Sequence, residues 1–158
     1  MTETTYTRVR SAAKAIIVED GQLLTVKNQH KDSIYYTLPG GGQKPGETLA
    51  EAMARECLEE VGVKVIVHDC LLIREYLSKN HEFAEMSRPH HQVDCCFRVE
   101  MLPGEVPGEG IEPDTEQIGV AWLPIASLAE CALYPKAFRE IIPQALNGGS
   151  RVYLGDLN

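Results

Sequence analysis

The chain has 158 residues, 44% hydrophobic and 24% charged, which suits a single domain spanning 1–158 around one sizeable core. A net charge of -8 and a pI near 5.1 argue against a nucleic-acid polymer or an anionic membrane as partner, although cations can bridge an acidic protein to a small anionic ligand. The opening MTETTYTRVR lacks a signal peptide's apolar stretch, no run approaches the ~20 apolar residues of a membrane span, and the five cysteines show no CxxC spacing. A reducing cytoplasmic location without disulfides or zinc is therefore expected.

Residues 1–8 read as a polar arm. An apolar run over 11–18, the turn Glu19-Asp20-Gly21 and an alternating run over 22–28 predict a β-hairpin. After a polar loop, 34–38 predicts a short strand that delivers Leu38-Pro39-Gly40-Gly41-Gly42, where glycines let backbone approach a ligand closely. Tyr36, in that strand, suits either packing beneath the loop or stacking on a base. Thr48 with Glu51 three residues later forms a capping box, and Gly62 is a stop, which predicts a helix over 49–61. Its expected packed face carries Leu49, Ala50, Met53, Ala54, Cys57 and Val61, and its opposite face Arg55, Glu56, Glu59 and Glu60.

Glu51, Arg55 and Glu59 at i,i+4 spacing would make an ordinary solvated salt-bridge ladder. Glu56 and Glu60 are also i,i+4 but of like charge, a conflict that a hard divalent cation with oxygen ligands would remove. Residues 64–77 predict one or two strands broken near His68-Asp69, and 78–89 predicts an irregular loop on the substrate side. A strand follows, with Val93, Cys95, Phe97, Val99 and Met101 facing the core. Residues 102–114, with three prolines and three glycines, predict a loop, followed by a strand over 118–123, helices over 125–131 and 136–146, and a short strand over 151–154. Among His81, His90 and His91, beside the 78–89 loop, His91 is the candidate to touch substrate. These elements argue for an α/β or α+β fold with a mixed sheet.

The stretch 41–63, GGQKPGETLAEAMARECLEEVGV, resembles the Nudix box, departing from it only at Cys57, where an aliphatic residue is usual. A free thiol fills such a slot as a small hydrophobe. The resemblance implies a Nudix-type α/β/α sandwich with a mixed β-sheet and a loop-helix-loop motif. It also implies Mg²⁺ or Mn²⁺ on Glu56, Glu59, Glu60 and the Gly40 carbonyl, with Arg55 holding a box glutamate and Glu47, Cys57 and Gly62 as structural positions. Gly41, Gly42, Tyr36 and His91 are the expected substrate contacts. The implied reaction is hydrolysis of a nucleoside diphosphate linked to another moiety, the partner being a nucleotide-type small molecule and the protein a monomer or homodimer.

The general base would be a box glutamate, Glu56 or Glu59, or one of Asp114 and Glu116. Glu116 is preferred as the one nearer a strand. A nucleoside triphosphate is the leading substrate class, ADP-ribose or a nucleotide sugar the alternative, and a non-catalytic nucleotide-sensing module the alternative of another class.

Overall fold

The chain begins its regular structure with β1 (Arg10–Ile16), β2 (Val18–Glu19), β3 (Gln22–His30), β4 (Ser33–Thr37) and β5 (Gly40–Gly42), followed by helix α1 (Leu49–Val61). β6 (Val65–Leu77), β7 (His91–Met101), β8 (Gln117–Pro124), α2 (Phe138–Leu146) and β9 (Tyr153–Asp156) complete it, with 3₁₀ turns at Ser78–Asn80 and Ile125–Glu130. This computed structural model describes residues 5–81 and 88–158; the start of the expected arm and 82–87 of the expected loop lie outside the described residues.

Five strands form a mixed sheet in the order β5-β1-β7-β6-β9, with β1 parallel to β7 and β6 parallel to β9. β3 organises a second, antiparallel sheet with β2, β4 and β8. α1 packs on one side of the mixed sheet, where Met53, Cys57 and Val61 meet Ala13, Ala15 and Val99. α2 covers the other side, where Phe138 and Ile142 meet Ile16, Leu72 and Cys96. This is the expected sandwich.

The expected hairpin is corrected. Only Val18–Glu19 pairs with Gln22 and Leu23, because the chain crosses between sheets at Ile17. β1 instead runs between β5 and β7, and its fully buried Ala13, Ala15 and Ile16 serve cores on both faces, which suits a central strand. The single core face expected of β7 is corrected for the same reason. Val99 and Met101 do pack toward α1, but Cys96 belongs to the α2 side, and Gln92 and Asp94 are buried there too. Asp94 is satisfied by Arg74 Nε at 2.9 Å and by Gln92 Nε2 at 2.6 Å, so its buried carboxylate is not left unpaired.

β6 is one strand, with register shifts between Val67 and Cys70 and between Cys70 and Leu72 where a break was expected. Of the two later helices, the first is a 3₁₀ segment, and the second starts at Phe138. All five cysteines are free. Among the described residues, no helix is long and apolar enough to cross a membrane.

Candidate functional site

α1 begins and ends where the sequence predicts. Thr48 accepts from the Glu51 N–H, the Glu51 side chain accepts from the Thr48 N–H, and Gly62 adopts the left-handed conformation at φ 71°. The buried face differs from the expected one: Ala50 and Ala54 are exposed, whereas Ala52 and Glu60 are buried with Met53, Cys57 and Val61. Cys57 is fully buried, and burial pushes its thiol up to about 12, so it remains a protonated packing group.

Burial of Glu60 depends on the glycine strand. β5 lies antiparallel to β1 with Gly40 opposite Lys14 and Gly41 opposite Ala13. Gly40, at φ 142°, leaves no room for a side chain, since a Cβ would fall 2.0 Å from the Ala13 carbonyl oxygen. Its N–H donates to Glu60 Oε2 at 2.8 Å. A Cβ on Gly41 would fall 2.5 Å from Glu56 Oε1, so the strand approaches the helix closely enough to seat both carboxylates against backbone.

Arg55 ties the acidic face together. Its guanidinium donates to both oxygens of Glu47 at 2.6 and 3.1 Å, to Glu56 Oε1 at 3.0 Å, to Glu59 Oε2 at 3.1 Å and to the Gly42 carbonyl at 3.0 Å. The hydrogen bond from Arg55, helped by the Lys44 N–H, draws Glu47 down to about 2. Glu56 is raised by burial despite Arg55. Glu60 is pushed up to about 8, chiefly by burial and further by a hydrogen-bonded Asp114, against the opposing pull of the Gly40 N–H and of Lys14.

Asp114 reaches Glu60 because the loop preceding β8 is fastened to α1. The Gln117 side chain donates to the Glu60 carbonyl at 2.6 Å, and the Gln117 N–H donates to the Asp114 carbonyl at 3.0 Å. Glu116 lines the same cleft, but its carboxylate is engaged at the far side, accepting from the Tyr35 hydroxyl and pairing with His30 Nδ1 at 2.6 Å. A cleft of about 430 Å³ joins Lys14, Tyr35, Gly40, Glu60 and Asp114, and beyond Tyr35 a second cavity of about 780 Å³ is walled by Tyr76, Tyr134, His90 and Arg74.

Tyr36 packs against the α2-side core and exchanges backbone hydrogen bonds with Ala132 and Tyr134, so it is Tyr35 that lines the clefts. His91 is held by Glu75 Oε1 at 3.1 Å, and His81 by Asp156 Oδ1 at 2.7 Å, stacked on Tyr76. Lys14 and Tyr35 had no local sequence signal, since each is set into the cleft by strand register.

The oxygens gathered here, from Glu56, Glu59, Glu60, Asp114 and the Gly40 carbonyl, are of the kind that hard divalent cations take. Among the described residues no three acidic, cysteine or histidine side chains already converge as a ligand set, because Arg55 holds Glu56 and Glu59.

The family model described as the NUDIX domain matches residues 7–145. The chain belongs to this family. Nucleoside triphosphatase NudI of Salmonella agona is 35% identical over 65 residues, covering 39% of this chain and 46% of that protein. Nudix hydrolase 13, mitochondrial, of Arabidopsis thaliana is 29% identical over 119 residues, 72% of this chain and 54% of that one. The chain thus spans about half the length of these curated relatives. A solved NUDIX hydrolase from Nitrosomonas europaea has a TM-score of 0.71 over 92% of this chain and 93% of that one; at 19% identity, this likeness concerns the Nudix fold.

Proposed function

We infer that this Nudix protein hydrolyses a nucleoside diphosphate linked to another moiety, with water attacking phosphorus and breaking the P–O–P bridge. The observation that carries the reading is the buried Glu60 carboxyl, held by the Gly40 N–H beside the partly buried Glu56, with the exposed Asp114 lining the same cleft. A carboxyl buried this deeply keeps its proton in the metal-free protein and becomes a stable carboxylate when a cation compensates it. The donor set fits Mg²⁺ or Mn²⁺, held by Glu56, Glu59, Glu60 and the Gly40 carbonyl. Such an ion supplies Lewis acidity and neutralises charge developing on the phosphates. Arg55 orients Glu56 and Glu59. We assign acceptance of the attacking water's proton to Asp114, a reading supported by the engagement of the neighbouring Glu116 carboxylate by Tyr35 and His30.

For the linked moiety, a nucleoside triphosphate remains the leading reading, giving a nucleoside monophosphate and pyrophosphate; the activity named for NudI supports it. The tyrosine-walled cavity beyond Tyr35 favours a second reading, in which a two-ended substrate such as ADP-ribose or a nucleotide sugar seats its other group there. The deciding experiment is a panel of nucleoside triphosphates, ADP-ribose and nucleotide sugars with Mg²⁺ or Mn²⁺, read by product identity. Pyrophosphate from triphosphates selects the first reading, and two monophosphates from the linked substrates select the second. Metal-dependent binding of a nucleotide without turnover of any panel member would make the protein a sensing module.

A further inference from the structure

Lys14 lies in the middle of β1, opposite Gly40, and belongs to no part of the box. Its half-buried side chain lines both the cleft of Glu60 and Asp114 and a neighbouring one walled by Arg74 and Tyr134. An ammonium in such a place is ordinarily matched by a carboxylate. Among the described residues none lies within ion-pair distance, and Nζ makes one long hydrogen bond, 3.3 Å, to the Gly40 carbonyl. It is close enough to draw down both Glu56 and Glu60.

Two consequences follow, both resting on the hydrolase reading above. The Gly40 carbonyl bonded by Lys14 is one that a divalent ion would need, so the ammonium and the ion compete for it. The ammonium also lacks an anion, and the cleft into which it projects is the one that would hold a diphosphate. A bond of 3.3 Å to a neutral carbonyl is weak beside a charge-assisted one to phosphate. We propose that Lys14 is a movable cation that rests on the Gly40 carbonyl in the ligand-free protein, cedes it to the metal, and turns to a phosphate of the substrate.

A structural lysine and a movable one differ in the sign of their effects. Mn²⁺ binding to the full chain is measured by calorimetry, and methylenediphosphonate binding is measured on the Mn²⁺-loaded protein, for wild type, Lys14→Met, Lys14→Gln and Lys14→Arg. Melting curves establish that each variant folds. The proposal expects Lys14→Met and Lys14→Gln to bind Mn²⁺ several-fold more tightly, having lost a competitor, yet to bind the diphosphonate about tenfold or more weakly. Lys14→Arg should retain most of the diphosphonate binding. On whichever substrate the wild type turns over, Lys14→Gln should raise KM more than it lowers kcat.

If both ligands weaken together, or neither changes, while wild type binds both, Lys14 is structural and the proposal is overturned with the hydrolase reading intact. If wild type binds neither Mn²⁺ nor diphosphonate, that reading falls and takes this inference with it.

Discussion

Glu60 lies where a carboxylate is least welcome, 5% exposed, on the core side of α1 and with Asp114 close enough to raise it further. Its acidity in the fold, about 8 against a reference near 4.5, makes metal-free stability depend on pH. The folded protein holds this proton more tightly than the unfolded chain, so stability falls as pH rises from about 4.5 to about 8 and levels off beyond. Glu60→Gln should flatten that slope and leave the metal-free protein more stable at pH 8 by a few kcal/mol, measured by denaturant titration across the range. The same variant should lose about 10²-fold or more in kcat and most of the melting-temperature rise that Mn²⁺ gives the wild type. A wild-type slope unchanged in the variant would show that Glu60 is not the buried acid. The base assignment is tested separately: Asp114→Asn should lower kcat by about 10²- to 10⁴-fold and Glu116→Gln by only a few-fold, in steady-state kinetics. The reverse order would restore Glu116.

The two elements that meet at the site, β5 and α1, tolerate change very differently. Gly40→Ala would drive a methyl into the Ala13 backbone and add strain at φ 142°, so it should unfold or severely destabilise the protein. Gly41→Ala meets only the end of the Glu56 side chain, which can swing away, so thermal melting should change little while turnover collapses. Equal melting losses in both would mean that Glu56 is fixed. The order of unlike residues from Gly41 to Val63, with a capping box and a left-handed stop, made α1 legible to the residue. Glu60 was misplaced on it because charge outweighed geometry: at 100° per residue it falls between Leu49 and Met53, within the buried arc. β1 and β7 were misread because a central strand covered on both faces lacks the alternation that reveals a half-buried one. Lys14, Tyr35 and Asp114 reach the site through pairings between segments far apart in sequence, which no local pattern encodes.

Across the whole molecule, two sheets and two cores are joined by a chain that changes sheet at Ile17, and the site occupies the seam, with Lys14 and Gly40 from the mixed sheet facing Tyr35 and the approach to β8 from the other. The segment 102–116 closes this seam without regular structure of its own, yet it is not loose. The N–H groups of Gly108, Ile111 and Glu112 donate to the Val61, Leu58 and Glu59 carbonyls, taking up acceptors that the last turn of a helix leaves open. An irregular, proline-rich stretch rich in glutamate would ordinarily be an inviting substrate for a glutamate-specific protease. Here, cleavage after Glu105 or Glu109 requires the segment to detach from α1, so nicking should proceed no faster than the opening of the helix end itself. Gly110→Ala, whose methyl would lie 1.9 Å from the Glu59 carbonyl oxygen, should force that detachment and turn a resistant loop into the first cut seen on a gel.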